Sequence, residues 1–506
     1  MSIFFGGVDD EAEVWLNGEK VGEHSGHSDP FYFDISNFLS KGDNELVVRV
    51  KDFGGPGGIY RPVVIVPQEQ IELLLRSKYA EMNARESAEW VKDAIIYEVY
   101  LRSFSKDGSF KSLQRRLPEI KELGVNVIWL MPIHPVGELN RKGTLGSPYS
   151  VQDFYSVNPE FGTLDDFKSL VNSIHENGMK IIIDLVANHT AWDNKLIFEQ
   201  PEWFTINNEG TILAPNSDCT DVADLNYEKY ELRKYMIAMM KYWVKKIGID
   251  GFRCDVSELV PTEFWERARR ELDDIKSVLM LSEGTIPEHH VSAFDITYSW
   301  NIYDVLQNVV EGKKSVKIFD ELLKRESMSF PKGSLRLRFN TNHDKNFFYG
   351  PSIIKYGKNG AKATAVLTYT FPGIPLLYNG DEVGNDKYLS LFEKVEIDWS
   401  KNPEFRDFYN KLGALHTTHK ALSLGDFKRI KCSDEERVYT FERKYGEDHV
   451  IVVINFDKKT KEAKLSDLTF KDGSLFEYFS GERFTVVDGE FQAILESYGY
   501  YVFIRK

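Results

Sequence analysis

The sequence predicts an α/β protein, a (β/α)8 barrel with an N-terminal β-sandwich segment before it and a C-terminal antiparallel β-sandwich after it. Three observations carry this. From about residue 91, short apolar runs alternate with amphipathic helices, as strand and helix repeats around a parallel sheet do. Eight such runs precede the last long helix, and eight is the number that closes a TIM barrel. Both ends of the chain lack long helices and read instead as short alternating runs punctuated by turns.

Residues 1–67 contain AEVWLNGEKVGEHSG, PFYFDISNFL and NELVVRVKD, separated by NG, SG and GD turn signals, which is the pattern of a small sandwich. Residues 68–90, QEQIELLLRSKYAEMNARESAEW, are charged, hold no Gly or Pro and carry helical spacing, so a connecting helix is expected there. The barrel is expected over 91–424. Its strands are AIIYEVYLRSF, VNVIWLMPI, KIIIDLVAN, IDGFRCDV, SVLMLSEG, AFDITYSW, LRLRFNTNHD and GIPLLYNGDE, with helices such as LQRRLPEIKELG and YMIAMMKYWVKKIG between them. A doubly wound open sheet also alternates, but it leaves an edge and usually shows a glycine-rich phosphate turn after its first strand, and neither is evident. Residues 425–506, with RVYTFERKYG, HVIVVINFD and GYYVFIRK, return to strands.

A chain of 506 residues exceeds a single core at roughly 150 residues per domain, consistent with a large barrel and two appendages. The net charge of −15 makes polyanions poor partners and excludes nucleic acid as the expected ligand, leaving a neutral one favoured. Aromatic residues make up 13%, enough to fill cores and to offer ring faces to sugars. Cys219, Cys254 and Cys432 are odd in number and far apart, so free thiols are expected, with neither a disulfide framework nor a thiolate metal site. No run of about 18 apolar residues exists to span a bilayer. The start MSIFFGG shows no export signal and runs directly into strand-like sequence, as if an upstream part were absent, so localisation stays open.

In a barrel, the active site forms where strands end and enter the loops toward helices. Four expected strands end in polar clusters: Asp184, Asn188 and His189 in DLVANH, Arg253 and Asp255 in GFRCD, Glu283 in LSEG, and His343 and Asp344 in NHD. Any one carboxylate at a strand end also serves as a helix cap or ion-pair partner. Three of them, Asp255, Glu283 and Asp344, at one mouth would repel, and such crowding needs a use. Cleavage of a glycoside with retention uses one ionised carboxylate to attack the anomeric carbon and one protonated carboxyl to release the leaving oxygen. A third carboxylate suits the positive charge of the transition state, and Arg253 suits the ionised form of Asp255.

These segments resemble the conserved regions of the α-amylase family, the (β/α)8-barrel enzymes that act on α-glucans. The resemblance spans about residues 91–420. DLVANH is similar to the first family region, GFRCD to the second, the Glu of LSEG to the third and FNTNHD to the fourth, in the family's order. It implies Asp255 as nucleophile, Glu283 as general acid/base and Asp344 as transition-state stabiliser, with Arg253, His189 and His343 binding substrate. GSPYSVQDFYSVNPEFGT resembles the family's stretch after the second strand and implies Tyr149 as the aromatic platform under the sugar at the cleavage point.

The family's insert after the third strand is short here, about 189–228. The resemblance implies a calcium ion held by Asn188 and by Asp224 of VADLN, with Asp218 and Asp221 nearby, and oxygen donors suit that ion. Asn188 bonding only to the loop backbone is the alternative. The family's Lys-His pair after the nucleophile is replaced by Glu258 and Leu259, which opens the bond preference, while VADLN and Val256 lean toward α-1,6-acting members. WLNGEKVG and GGIYRPV resemble part of the sugar-binding jelly roll of β-galactosidase-type enzymes, and Trp15, Tyr32 and Phe33 are its candidates for facing a glucan. The expected activity is hydrolysis of α-1,4 bonds in glucans or maltooligosaccharides without an organic cofactor. The alternatives are α-1,6 cleavage, 4-α-glucanotransfer, or a non-catalytic carbohydrate-binding barrel; the oligomeric state is left open.

Overall fold

The computed structural model describes residues 1–9, 11–25, 30–51 and 58–505. They form two compact units, Met1–Asn83 with Leu323–Lys332, and Ala84–Leu322 with Gly333–Lys506. In the first unit, β1 (Ser2–Phe5) lies between β4 (Phe31–Asp34) and β6 (Val63–Val66), and β2 (Glu11–Leu16) lies between β3 (Glu19–Ser25) and β5 (Leu46–Lys51). Every pairing is antiparallel. Alternation sets the faces of β2. Ala12, Val14 and Leu16 are buried and join Ile3, Phe5 and Phe31 in one core, whereas Glu11, Glu13 and Trp15 point the other way. The hairpin from β2 to β3 turns at Asn17 and Gly18, whose φ of 54° and 81° are the left-handed conformations that Asn-Gly accepts readily. Of the aromatics considered for glucan contact, Trp15 is overlaid by Lys20 at 5.8 Å and Phe33 packs on the core, while Tyr32 is exposed.

No single connecting helix spans 68–90. The first unit has separate turns at Gln68–Gln70, Ile71–Leu75 and Lys78–Glu81, and the second begins with Glu89–Lys92. Helices this short depend on burying an apolar face, and only Ile71 is buried in Ile71–Leu75. Arg76 leaves the helical region with ψ of 117°, and Ser77 then caps the next turn by accepting from the Tyr79 N–H at 3.1 Å. Helical spacing without a face to bury does not propagate.

In the second unit the barrel strands appear in chain order as β7 (Ile96–Val99), β8 (Val127–Leu130) and β9 (Lys180–Leu185). A hairpin of β10 (His189–Ala191) and β11 (Val222–Asp224) follows, with His189 opposite Asp224. Then come β12 (Gly251–Cys254), β13 (Leu279–Ser282), β14 (Ile296–Tyr298), β15 (Leu335–Arg338) and β16 (Ile374–Tyr378). The eight parallel strands close into a barrel when β16 pairs with β7. Their buried, almost continuous apolar runs reflect coverage on both faces, and Trp129, Ile182, Leu281, Ile296, Leu337 and Leu376 fill the interior. Gly251 is required where β12 meets β13, since a Cβ there would stand 1.9 Å from the Leu279 carbonyl oxygen. Register does the positioning that matters: Arg253 lies beside Asp184 on one side and Leu281 on the other.

The C-terminal sandwich has a six-stranded antiparallel sheet and a three-stranded one, sharing a core that includes Ile451, Val453, Ala463, Leu475 and Phe503. Phe371, just after the helix Ser352–Thr370, seats it on the barrel through rings of Phe319, Phe427, Tyr439 and Phe441 at 5.5 to 5.9 Å. Arg443 reaches across the same seam and donates to the carbonyls of Thr370 at 2.9 Å and Gly425 at 3.0 Å. Its burial lowers its pKa to about 10. Among the described residues, no helix is long and apolar enough to cross a membrane. Phe371→Ala is expected to remove about 3–5 kcal/mol from unfolding of this unit, read by denaturant titration, because a fully buried ring leaves a cavity. A loss under about 1 kcal/mol would show that the seam adds little.

Candidate active site

The ladder of the barrel runs one residue past the ends of β12 and β13. Asp255 N–H donates to Leu185 O, and Glu283 N–H donates to Cys254 O, each at 3.0 Å. Both carboxylates therefore leave neighbouring strands at the same level, at the carboxyl end of the barrel.

Between them sits Arg253, fully buried. Its Nη1 donates to Asp184 Oδ1 and to Asp255 Oδ1, both at 2.9 Å, and its Nη2 forms an ion pair with Glu283 Oε2 at 2.7 Å. One planar guanidinium thus joins three carboxylates, a geometry that a lysine ammonium does not reproduce. Trp129, Tyr149 and Tyr298 present rings within 5.2 to 5.8 Å of the guanidinium carbon. Burial acts to lower the pKa of Arg253, but Asp184 and Glu283 outweigh it, and the net shift is upward.

Burial raises the pKa of both Asp255 and Glu283. For Asp255 the negative charge of Glu283 adds to the rise and Arg253 opposes it. For Glu283, Arg253 opposes the rise and Asp344 adds to it. Glu283 Oε2 also accepts from the Val256 N–H at 2.8 Å. To present that N–H, Val256 takes φ of 35° and ψ of 44°, a left-handed conformation that a β-branched residue adopts only under constraint.

A second charged layer lies below the third carboxylate. Asp344 and His343 open the helix His343–Tyr349, whose start is capped by Asn342 accepting from the Lys345 N–H at 2.9 Å. His343 Nδ1 bonds to the buried Glu98 of β7, and its Nε2 is 2.7 Å from the Tyr149 hydroxyl and 3.4 Å from Asp344 Oδ1. The Tyr149 ring stacks on His343 with centroids 5.5 Å apart, and its hydroxyl donates to Asp184 Oδ2 at 3.1 Å. Burial works against charge on His343, yet Asp344 and Glu98 raise its pKa to about 9.

Of the expected substrate residues, Tyr149, Arg253 and His343 thus join one network with the three carboxylates. His189, at the start of β10, is buried and meets the backbone of Tyr149, its pKa lowered to about 4 by that burial. Asn188 and Asp224 meet, but as a hydrogen-bonded pair: the Asn188 amide donates to Asp224 Oδ1 at 3.3 Å, and Thr205 Oγ1 donates to Asp224 Oδ2 at 2.6 Å. Burial raises the Asp224 pKa, and the hydrogen bonds from Thr205 and Asn188 oppose the rise. Asp221 is taken by Lys142 Nζ at 2.8 Å. No cluster of three or more His, Cys, Asp or Glu suited to a metal ion occurs among the described residues. Both Asp224 oxygens thus accept hydrogen bonds, and Asn188 turns its amide nitrogen rather than an oxygen donor toward Asp224.

The sequence profile described as "Alpha amylase, catalytic domain" matches residues 78–203 and 195–463. The chain belongs to the α-amylase family of glycoside hydrolases. Profiles described as "Maltogenic Amylase, C-terminal domain" and "Glycosyl hydrolases family 2, sugar binding domain" match residues 427–502 and 1–63. The solved structure of a noncanonic maltogenic α-amylase, AmyB, from Thermotoga neapolitana superposes with a TM-score of 0.76 at 32% identity, covering 82% of this chain and 99% of that one. An α-amylase from Lactobacillus plantarum does so with a TM-score of 0.73 at 29% identity, covering 82% and 99%. α-Amylase 2 of Dictyoglomus thermophilum is 26% identical over 81% of this chain and 76% of its own. α-Amylase MalA of Haloarcula japonica is 28% identical over 72% of this chain, which spans 56% of that relative's length.

Glu98 and Trp129 lie within strands and Tyr298 closes β14 with no motif around it, so none of the three stood out in the sequence. An acid in the otherwise apolar run IIYEVY was the available signal for Glu98. His343 is expected to stay protonated at pH 7 and to lose its proton near pH 9, whereas His189 stays neutral at pH 7, as a ring 15N titration would show. Because the folded pKa of His343 lies above its unfolded value near 6.5, its contribution to stability is complete below that pH and lost as pH rises through about 9. A chelator is expected to leave the thermal midpoint unchanged, and a marked fall would show that a metal holds the loop.

Proposed function

We propose that this enzyme hydrolyses α-1,4 bonds of glucans and maltooligosaccharides with retention of anomeric configuration. Asp255 is the nucleophile, Glu283 the general acid/base and Asp344 the transition-state stabiliser. The reading rests on one observation above all, the single guanidinium of Arg253 that contacts both Asp255 and Glu283. That pairing favours ionised carboxylate, while burial and mutual repulsion favour a proton on one of the two. The pair shares that proton, and a glycosidic oxygen beside Glu283 draws it there by accepting a hydrogen bond.

In the first step an Asp255 oxygen attacks the anomeric carbon as the bond to the leaving oxygen breaks. Glu283 gives its proton to that oxygen, so the departing chain leaves with a hydroxyl and a glucosyl ester of Asp255 remains. In the second step Glu283, now ionised, takes a proton from water, whose oxygen attacks the same carbon and releases Asp255. Two inversions give retention. Asp344 faces the positive charge that develops on the sugar ring, Asp184 holds Arg253 and Tyr149 in place, and the Tyr149 ring supplies an apolar face beneath the sugar. The protonated His343 and the neutral His189 act as hydroxyl-binding donors.

Asp255→Asn is expected to lower kcat/KM on maltoheptaose by on the order of 10^4-fold or more with thermal unfolding unchanged. Glu283→Gln should fall similarly and recover in part on aryl glycosides with good leaving groups, while 1H NMR of the wild-type reaction should show the α-anomer first. Full activity in Asp255→Asn would overturn the assignment. Products longer than the substrate would make the protein a glucanotransferase, and preferential cleavage of panose would move the bond to α-1,6.

A further inference from the structure

Large rings crowd the surface beside Asp344 where packing does not account for them. Phe348, Tyr349 and Tyr388 are 65%, 59% and 50% exposed; Phe348 and Tyr349 have ring centroids 6.4 Å apart, and Tyr388 lies against Gly350, the residue that follows them. The helix His343–Tyr349 places Phe348 four residues after Asp344, so the two share a face one turn apart. Phe347, between them and the interior, packs against Phe392 at 5.5 Å and meets Phe348 edge to face at 4.9 Å. Phe347 and Phe392 belong to the same apolar cluster that supports Tyr149. An aromatic run therefore leads from the platform at the carboxylates out to the surface. Tyr388 extends it by lying over Gly350, where a Cβ would come within 2.7 Å of the tyrosine ring.

The rings on the other side of this helix are already occupied. Lys345 holds its ammonium 4.7 Å from the Trp300 centroid, 4.9 Å from that of Tyr303 and 5.5 Å from that of Tyr349, which Lys355 also approaches at 5.6 Å. Among the described residues, no such cation lies over Phe348 or Tyr388. A ligand for them needs apolar faces to stack and a polar rim that stays in water, and a pyranose ring has C–H faces and equatorial hydroxyls. Continuity with the mouth makes the occupant the same chain that the carboxylates cut.

We propose that Phe348 and Tyr388 form a stacking shelf for glucose units of the bound α-glucan remote from the cleaved bond, which gives the enzyme a preference for longer chains. The inference rests on the α-glucan reading of the mouth. Its test uses Phe348→Ala, Tyr388→Ala and the double variant of the full chain, with kcat/KM measured on maltoheptaose and on maltotriose. The ratio of the two should fall about five- to tenfold in the double variant, carried by KM on maltoheptaose, since each ring contributes stacked apolar area without touching the reacting atoms. Phe348→Trp, which keeps a stacking face, should retain the ratio.

An unchanged ratio overturns the shelf. So does an equal loss on both substrates, which would mean that the helix carrying Asp344 had been disturbed, and so does a shift to a smaller sedimenting species at constant ratio, which would make the face a contact between copies. Both substituted rings are at least half exposed, so their removal leaves the core intact. A wild type that cleaves neither oligosaccharide sinks the glycosidase reading itself, whereas an active wild type with unaltered variants sinks the shelf alone.

Discussion

A guanidinium buried without solvent is costly unless its charge and its donors are met, and a group of carboxylates buried without a cation is costlier still. Arg253 resolves both costs at once, because Asp184, Asp255 and Glu283 surround it within 2.7 to 2.9 Å. Its net charge balance, three anions to one cation before any proton is counted, leaves the site short of positive charge. Burial raises the carboxyl pKa values first and that shortage adds to the rise, and the shortage is also what a sugar ring developing positive charge would relieve. Stability of the ligand-free site and affinity for the transition state therefore oppose each other at the same atoms.

The arrangement depends on strand register more than on any loop. Asp184 and Arg253 are partners across β9 and β12, so a slip of one residue would turn one of them to the outer face. Closure of the barrel is equally needed, since Glu98 on β7 reaches His343 just beyond β15 only when β16 joins the ends. The Glu98 and His343 pair then fixes the ring against which Tyr149 stacks. Charge in the lower layer orients an apolar platform in the upper one.

The eight barrel strands were legible because buried parallel strands are apolar on both faces, and runs such as VNVIWL and KIIIDL leave little else to form. The carboxylates at their ends were legible as motifs. What the sequence did not reveal is set by pairing between distant strands: Trp129 and Tyr298 are ordinary strand residues until the barrel turns them onto Arg253. The connecting segment misled because helical spacing in QEQIELLLRSKYAE says nothing of whether a surface exists to cover it, and only Ile71 finds one in its first α-helical turn. Asn188 and Asp224 were expected as calcium ligands; they meet as a hydrogen-bonded pair, with Thr205, a residue with no motif around it, donating to the second Asp224 oxygen.

Val256 carries a consequence for how this protein can be improved. Its left-handed backbone, worth on the order of 1–3 kcal/mol of strain, is held so that its N–H faces Glu283. Glycine would adopt the same conformation at ease, but it would also widen the range of directions in which that N–H points. Selection for heat tolerance would reward the relaxed backbone, while selection for turnover would reward the constrained one. The position just after the proposed nucleophile is thus one where a library screened for survival alone would drift away from activity.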